Sequence, residues 1–316
     1  MSMSMTRGEL QDAAAKAFDG DLTPDAAQSW TLITDMGWLM MAVPEDQGGL
    51  GLGREAGGVI HQALGRTLVA GPTIAQMLVI EALSGTAQDE LLGRAMAGEV
   101  MTTSLSEGLT AVPDADRASH LLLIEPERVA LLPMQGLGVT PRATWDKTRR
   151  LFDVDAGEKE GIVLAQGEAA LARGNRLSML RSLALAADSL GGADAALRMT
   201  IDYLETRRQF DRPLALFQAL KHRVADMKTA LVAAEALFWA RADDPAADAI
   251  RMGAMKAHAA SVYRLIAEEA IQLHGGIGLT MEHPCHLFLK RATLNAALGG
   301  DADHWEEAAG RRLLAA

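Results

Sequence analysis

The residues best suited to chemistry form an arginine-rich stretch, Arg-Arg-Gln-Phe-Asp-Arg-Pro, that runs from Arg207 to Pro213. Gln218 follows it near the start of a predicted helix. Guanidinium groups and the free N–H groups of a helix N-terminus both bind phosphate well. From the residues alone, a phosphate-binding site and a solvated surface turn are equally good interpretations of this stretch.

A second stretch, from Gln272 to Gly278, combines an amide side chain with several glycines. Gln272 can donate and accept hydrogen bonds at once, and Gly275 and Gly276 would let a ligand approach the backbone closely. The simpler interpretation, a helix that ends in a glycine-rich exit, is favoured when these residues are considered by themselves.

A third group, His283-Pro284-Cys285-His286, contains side chains that ligate metals in other proteins. Two histidines and one cysteine packed so tightly at a helix start cannot easily share one ion, and no further ligand cluster is apparent in the sequence. We predict a structural segment here and no metal site. Cys285 is the only cysteine, which excludes an intrachain disulfide and a cysteine zinc site.

The composition indicates what kind of chain must position these stretches. Of 316 residues, 49% are hydrophobic and 22% are charged, which is typical of a globular protein. Acidic residues number 41 and basic residues 30, and the net charge of −11 argues against nonspecific binding to nucleic acid. The sequence shows no apolar run of membrane-spanning length and no apolar signal core after Met1. We therefore predict a cytoplasmic protein without a membrane partner.

The pattern of residue types changes twice along the chain, and these changes divide it into three sections. Residues 1–99 are typical of short helices and loops, and residues 100–167 contain short apolar runs separated by Pro, Gly and Asp, as in strands and turns. Residues 168–316 return to helix. There the apolar positions from Phe217 to Phe238 alternate three and four apart, and Pro213 is predicted at the start of that helix. Further helices are predicted over about 245–274 and 284–298, and strands over 120–124, 128–132, 151–154 and 161–164.

Taken together and in order, these stretches resemble the acyl-CoA dehydrogenase family. The resemblance covers nearly the whole chain and is weakest over residues 100–165. No single motif is unique, but the ordered set is highly specific. The matching pieces are Trp38 with the loop Val43–Gly51, Leu64-Gly65-Arg66, Pro72, Arg207–Phe210, Gln218, Ala225-Asp226-Met227 and the signature from Gln272 to Thr280.

The resemblance implies a mainly α fold with a small β section. Its domains would be an N-terminal helical domain at 1–99, a reduced middle β domain at 100–167 and a C-terminal four-helix bundle at 168–316. It further implies an FAD-dependent oxidoreductase that converts acyl-CoA thioesters to their 2,3-enoyl form and passes electrons to an electron-transfer flavoprotein. Two subunits of this family share each FAD, so an oligomer is implied. By resemblance, the clamp for the ADP part of FAD comprises Arg207, Gln209, Phe210, Gln218, Gln272, Gly275 and Gly276.

The sequence departs from the family pattern where a catalytic carboxylate is normally found. The usual base position aligns with Gly299 and the less common one with Arg181, and neither side chain can accept a proton from a substrate. No catalytic residue is therefore assigned in this chain. Asp301 could reach the site after a small loop shift. The better explanation is that Asp301 and the acidic residues after it form the N-terminal turn of the last helix, where negative charges interact favourably with the helix dipole.

The middle section is also reduced. The segment Thr102–Gly108 stands where the family's backbone and hydroxyl groups meet the flavin, and the aromatic residue that the family places beside the ring is missing. The chain thus retains the ADP clamp while it loses the base and the ring pocket. This pattern resembles the short subunit of bacterial α2β2 acyl-CoA dehydrogenases of steroid side-chain degradation, in which a longer partner subunit carries the base.

Three functions are compatible with this pattern, in order of preference. The first is a subunit of a heteromeric acyl-CoA dehydrogenase that lends its ADP clamp to the longer partner. The second is a self-sufficient homomeric enzyme with a displaced base. The third is a flavin-free, non-catalytic protein of the same fold that binds a thioester or a partner.

Overall fold

The computed structural model describes residues 6–18 and 22–315 of the chain. The prediction about a signal core falls on residues 1–5 and lies outside this range. The first section consists of α1 (Arg7–Ala17), α2 (Ala26–Asp35), α3 (Gly53–Arg66), α4 (Thr73–Leu83) and α5 (Asp89–Met96). Local sequence sets where the first two begin. Thr6 and Glu9 form a reciprocal capping box at α1, and the Asp25 carboxylate accepts the first N–H groups of α2.

The middle section folds into two small sheets. In chain order the strands are β1 (Met101–Thr103), β2 (Val112–Pro113), β3 (His120–Ile124), β4 (Arg128–Pro133), β5 (Gly138–Arg142), β6 (Leu151–Asp155) and β7 (Ile162–Gln166). One sheet has the order β1-β3-β4-β7 and the other β2-β6-β5, and only β1 and β3 pair in parallel. The sequence pattern does not reveal β1, β2 or β5, because the first two are too short to show a period and the third is mostly exposed.

The C-terminal section is a helical bundle built around one long helix. In chain order it contains α6 (Glu168–Thr206), the paired strands β8 (Arg208–Gln209) and β9 (Arg212–Pro213), α7 (Gln218–Ala242), α8 (Ala249–His274), α9 (Cys285–Ala297) and α10 (Ala302–Leu314). The predicted mainly α fold with a small β section is confirmed. None of the helices in the described ranges combines the length and the apolar character that crossing a membrane requires.

Two predicted helix starts are wrong by several residues. Pro213 does not begin α7 but belongs to the β8–β9 hairpin, and a 3-10 turn separates it from Gln218. The helix predicted from position 245 begins at Ala249. There the Asp248 carboxylate accepts the N–H of Arg251 at 2.9 Å and caps the helix.

Helices α3 and α6 approach each other closely at two glycines. A Cβ atom on Gly191 would lie 2.0 Å from the Gln62 carbonyl oxygen, and one on Gly65 would lie 2.2 Å from that of Asp188. Only glycine permits this approach, which joins the first section to the bundle. The apolar core that spans the contact includes the fully buried side chains of Ile60, Leu83, Met101 and Leu185.

Candidate functional site

The arginine-rich stretch forms the β8–β9 hairpin between α6 and α7. Gln209 pairs with Arg212, and the two residues at the tip, Phe210 and Asp211, have positive φ values of 53° and 62°. Such a turn matches the twist of a hairpin, but Asn and Gly make it far more often than Phe. The Phe210 ring nevertheless stays 86% exposed. An aromatic ring held on an unfavourable backbone and left in solvent favours a binding role for this tip.

The same hairpin gathers cationic groups beside the N-terminus of α7. Arg207 and Arg208 are exposed, and the Arg212 guanidinium lies 3.9 Å from the centroid of the Phe217 ring. The helix begins at Gln218 without a side-chain cap, so its first N–H groups remain available to a ligand. Three guanidinium groups and an uncapped helix N-terminus are chemically suited to bind an anion, although the net charge of the chain is −11.

The two glycines after α8 form an open backbone surface. Gly275 has a φ of 64°, and its N–H closes the helix by donating to the carbonyl groups of Gln272 and Ile271. A Cβ atom built on Gly275 or Gly276 would meet no heavy atom within 4 Å. The Gln272 side chain beside them is exposed. A ligand therefore has room to lie against this backbone, with an amide available to bind it.

The structure brings these two stretches to the same end of the bundle. Tyr203, one turn before Arg207, stacks on the His274 ring with centroids 4.4 Å apart and donates from its hydroxyl to the His274 carbonyl at 3.3 Å. Arg223 on α7 pairs with Glu269 on α8 at 2.6 Å. The C-termini of α6 and α8 and the N-terminus of α7 therefore lie together. All seven residues predicted for the ADP clamp are exposed.

A cluster of His274, His283 and Cys285 lies next to the glycine turn, and it differs from the group considered in the sequence. One potential ligand atom from each lies within 4.8 Å of the others, and His286 is not a member. The His274 Nδ1 atom is 2.7 Å from the Ala270 carbonyl, and the Cys285 N–H donates to His283 Nδ1 at 3.3 Å. Burial raises the pKa of the Cys285 thiol to about 12. The absence of a metal site stays a prediction, and His274 is a candidate that the sequence pattern does not reveal.

The two positions that could carry a catalytic base lie side by side. A Cβ atom on Gly299 would lie 3.4 Å from Arg181 Nε and 2.9 Å from a methyl carbon of Leu185. The Arg181 side chain thus fills the space beside Gly299. Its Nη1 donates to the Ser106 carbonyl at 3.4 Å, while its Nε is buried without a hydrogen-bond partner among the described residues. A cation therefore stands where the resemblance places a carboxylate.

Two ionisable groups next to this point, Asp301 and Lys256, are already engaged in hydrogen bonds to the backbone. The Asp301 carboxylate accepts the His304 N–H at 2.9 Å and caps α10. Lys256 is fully buried, and its Nζ donates to the Gly300 carbonyl at 2.7 Å. Burial, and to a smaller extent the charge of Arg181, lower the pKa of Lys256 to about 7. Its amine is nevertheless turned toward the backbone carbonyls of Ala296 and Gly300, near the C-terminus of α9.

The hydroxyl groups that the resemblance assigns to the flavin ring are turned inward. Thr102 Oγ1 donates to a carbonyl of β2 at 2.6 Å, and Thr103 Oγ1 donates to a carbonyl of β3 at 2.8 Å. Ser104 Oγ donates to a carbonyl two residues later at 3.0 Å. All three side chains are buried. The void beside Leu105, between α4 and the middle section, measures about 10 Å³, which is room for about one water molecule.

A buried network of charges, which sequence reasoning missed, joins the middle section to the bundle. Arg291 on α9 pairs with Asp146 at 2.7 Å and with Asp188 on α6 at 2.9 Å. Arg149 pairs with Asp188 at 3.0 Å, and Asn295 donates to the same carboxylate at 2.7 Å. Burial would raise the pKa of Asp188, but the charges of Arg149 and Arg291 outweigh it and lower that pKa. The network positions the β section, and with it the inward hydroxyl groups, against α6 and α9.

Comparison with known protein families agrees with this architecture. Residues 172–314 match the acyl-CoA dehydrogenase C-terminal domain, and residues 3–99 match the acyl-CoA dehydrogenase N-terminal domain. The acyl-CoA dehydrogenase IpdE2 of Mycobacterium tuberculosis is 32% identical over 277 residues, which cover 85% of this chain and 81% of that protein.

Two solved structures share the fold over nearly their whole length. The ChsE4-ChsE5 complex from Mycobacterium tuberculosis matches with a TM-score of 0.85 and 25% identity, covering 99% of this chain and 99% of that chain. The steroid acyl-CoA dehydrogenase Tcur3481-Tcur3483 matches with a TM-score of 0.86 and 25% identity, covering 98% of this chain and 97% of that chain. Each of these two names lists a pair of proteins.

Proposed function

The chain belongs to the acyl-CoA dehydrogenase family, and from this premise we propose that it is the short subunit of a heteromeric, FAD-dependent acyl-CoA dehydrogenase. In this proposal it lends the ADP clamp of a shared FAD to a longer partner subunit that carries the catalytic carboxylate. The chain itself contributes no base to the α,β-dehydrogenation of the acyl-CoA thioester.

The observation that carries this proposal is the contrast between the position of the base and the residues of the clamp. Where a base is needed, Arg181 fills the space beside Gly299, and a guanidinium cannot accept a proton near neutral pH. Where a cofactor is to be held, Arg207, Gln272 and Gly276 all remain exposed. A chain that keeps an open clamp but has no base is suited to complete the site of another subunit.

The clamp residues fit the charged half of FAD. Its pyrophosphate would bind to Arg207 and to the uncapped N–H groups at the start of α7, because both attract anions. Its adenosine would lie against Gly275 and Gly276, where the backbone is open, with Gln272 as a hydrogen-bonding partner. When bound, FAD supplies the hydride acceptor of the dehydrogenation. The residues of this chain would hold and orient it.

The comparisons support an unlike partner and a bulky substrate. The ChsE4-ChsE5 and Tcur3481-Tcur3483 names each join two proteins, and the second is named a steroid acyl-CoA dehydrogenase. We extend this to the present chain and propose that the complex oxidises the CoA thioester of a steroid-derived acid. As the family resemblance implies, the electrons would then pass from the complex to an electron-transfer flavoprotein.

The flavin content of the chain alone and of the complex tests the proposal. We would purify the chain alone and after coexpression with a longer, base-bearing acyl-CoA dehydrogenase of the same organism, and measure bound FAD by absorbance. We expect almost no flavin in the lone chain and one FAD for each pair of unlike chains. Full flavin occupancy of the lone chain would refute the shared site and favour a self-sufficient enzyme. A colourless complex would favour the flavin-free alternative.

A matched pair of arginines separates the clamp from general surface charge. Arg207→Ala should weaken FAD binding by the complex about tenfold or more, because a charge-assisted hydrogen bond is lost. Arg198, on the helix that ends just before Arg207, is exposed and pairs with Asp194 at 3.1 Å, so Arg198→Ala should leave FAD binding unchanged. The same loss in both variants would indicate a nonspecific charge effect and contradict a clamp at Arg207.

A further inference from the structure

A cavity of about 580 Å³ lies between the first section and the start of α6. Its walls come from the loop after α2 and from α3, α4, α6 and the beginning of α8. Ala172, Asn175 and Arg176 are exposed at its mouth, whereas Trp38 and His61 line it and are only 2% and 3% exposed. A volume of this size is typical of pockets that hold small organic ligands.

The interior of the cavity is lined mainly by apolar side chains. Methionine thioethers adapt readily to the shape of a ligand. Protein cores are normally close-packed, so folding alone does not explain an apolar cavity of this volume. Four methionines contribute to the wall, namely Met41, Met77, Met179 and Met252.

The charged groups around the cavity already have partners. Arg54 donates from Nε to the Ala242 carbonyl at 2.6 Å and from Nη2 to the Asp244 carbonyl. Arg176 forms an ion pair with Glu81. Both guanidinium groups are therefore held by acceptors within the described part of the chain, Arg54 by two backbone carbonyls and Arg176 by a carboxylate. A carboxylate or phosphate buried among the apolar side chains of the interior, away from these arginines, would lose its hydration without gaining a counterion, which is unfavourable.

His61 is the polar group in the interior that lacks a partner. It makes no hydrogen bond with any group in the described part of the chain, although it is almost completely buried. Burial lowers the pKa of its imidazole to about 4, against a smaller opposing effect of the Asp188 carboxylate. The ring is therefore neutral near neutral pH and has one N–H donor and one nitrogen acceptor. A ligand oxygen in the cavity can therefore form a hydrogen bond with it.

We propose that this cavity binds an uncharged, mainly apolar small molecule with one alcohol or ketone oxygen, which hydrogen-bonds to His61. The volume and the methionines accommodate the apolar body. The apolar interior offers no counterion to an anionic head group, and His61 selects a single polar group at the inner end. None of the seven clamp residues lines this cavity, nor do Gly299 and Arg181. The proposal is therefore independent of FAD binding and of a partner subunit.

Two probes of equal chain length test the proposal on the full-length chain. Decan-1-ol is uncharged with one hydroxyl group, and decanoate replaces that group with a carboxylate. Binding can be followed by calorimetry and by the fluorescence of Trp38, which lines the cavity. We expect saturable binding of decan-1-ol and at least about tenfold weaker binding of decanoate, because burial of the carboxylate is unfavourable. Failure of decan-1-ol to saturate, or equal affinity for the two probes, would overturn the proposal.

Three variants test whether decan-1-ol binds in this cavity. Met77→Trp fills the cavity from α4 and should reduce decan-1-ol affinity at least about tenfold, since the ligand and the indole compete for the same volume. Met96 on α5 is also partly buried but does not line the cavity, so Met96→Trp should change the affinity by less than about twofold. His61→Phe should weaken binding about threefold to tenfold, the net value of one hydrogen bond.

Folding of each variant is checked by circular dichroism. If Met77→Trp fails to fold, Met179→Trp fills the same volume from α6 and takes its place. Decan-1-ol affinity that is unchanged in a folded filling variant would show that the probe binds elsewhere and would refute this cavity as the site.

Discussion

At the scale of single residues, the candidate site depends on which polar groups already have partners and which remain free. The hydroxyl groups of the buried Thr102 and Thr103 donate to backbone carbonyls, so their protons are not available to a flavin ring. The Arg181 side chain lies against Gly299 at the predicted base position. By contrast, Arg207 and Gln272 are exposed. The exposed groups are suited to bind a cofactor, whereas the two positions that the resemblance gives for a base hold Gly299 and Arg181, neither of which accepts a proton.

Gly299 is required by both its backbone and its surroundings. It has a φ of 68°, and a Cβ atom would lie 2.9 Å from Leu185. We expect Gly299→Ala to lower the free energy of unfolding by about 1–3 kcal/mol in urea denaturation. Gly276 has open space around it, so Gly276→Ala should change the same quantity by less than about 0.5 kcal/mol. Equal stability of the two variants would contradict the packing described at Gly299.

His61 should make the stability depend on pH. Burial lowers the pKa of its imidazole from 6.5 to about 4, so the unfolded chain takes up this proton first as the pH falls. The contribution of neutral His61 is fully present above pH 6.5 and is lost as the pH falls toward 4, by up to about 3 kcal/mol. His61→Gln should remove this part of the slope. The difference between wild type and variant in urea denaturation at several pH values measures it, and parallel curves would refute the assignment.

At the scale of elements, the middle section is held to the bundle by charges as well as by apolar contacts. Asp146 and Arg149 come from the segment between β5 and β6, Asp188 from α6, and Arg291 from α9. Each of these side chains is buried and has a partner of opposite charge. Removal of one member would leave a buried charge unpaired, which costs far more than the loss of a surface ion pair.

We expect Arg291→Met to lower the free energy of unfolding by about 3–5 kcal/mol, because Asp146 and Asp188 each lose a counterion in a buried site. Arg142→Met provides the control. Arg142 pairs with Asp153 at 2.7 Å in an exposed position and should cost less than about 1 kcal/mol. Chemical denaturation of both variants checks the difference. A small effect of Arg291→Met would mean that the network contributes little to the attachment of the β section.

At the scale of the whole molecule, the surface shows several large, exposed apolar side chains. Three of them belong to the two stretches of sequence that contain the predicted clamp or lie next to it in the chain. Phe210 is 86% exposed, Leu279 is 72% exposed and Met281 is 83% exposed. Phe210 lies at the hairpin tip, and Leu279 and Met281 lie in the segment that follows Gly275 and Gly276. Several large apolar side chains exposed at one end of the bundle favour a surface that another protein covers. It supports the proposal that a partner subunit meets this end of the bundle.

Association with the longer subunit should depend on this apolar surface. Met281→Glu should weaken the complex about tenfold or more in sedimentation equilibrium, because a charge would be buried at the contact. Leu313 on α10 is 79% exposed, so Leu313→Glu is a matched control and should leave association unchanged. Neither variant should change the unfolding of the lone chain. Equal effects of the two on association would argue for a different contact surface.

The sequence by itself determined the order of helices, strands and helices, the mainly α fold and the family, because these depend on local periodicity and on ordered motifs. The same local signals are weak for very short elements. Pro213 belongs to a two-residue strand rather than to a helix start, since pairing across the hairpin takes precedence over its preference for a first helical turn.

Only the tertiary structure decided which distant residues meet. Arg181 lies beside Gly299, and Asp146 pairs with Arg291, although no local pattern links either pair. His274 also lies close to His283 and Cys285, although the sequence does not link these residues by a recognisable pattern. The cavity that His61 lines is a gap between helices from different sections. Contacts and gaps of this kind arise from how whole elements pack, and a one-dimensional pattern of residue types contains no measure of that packing.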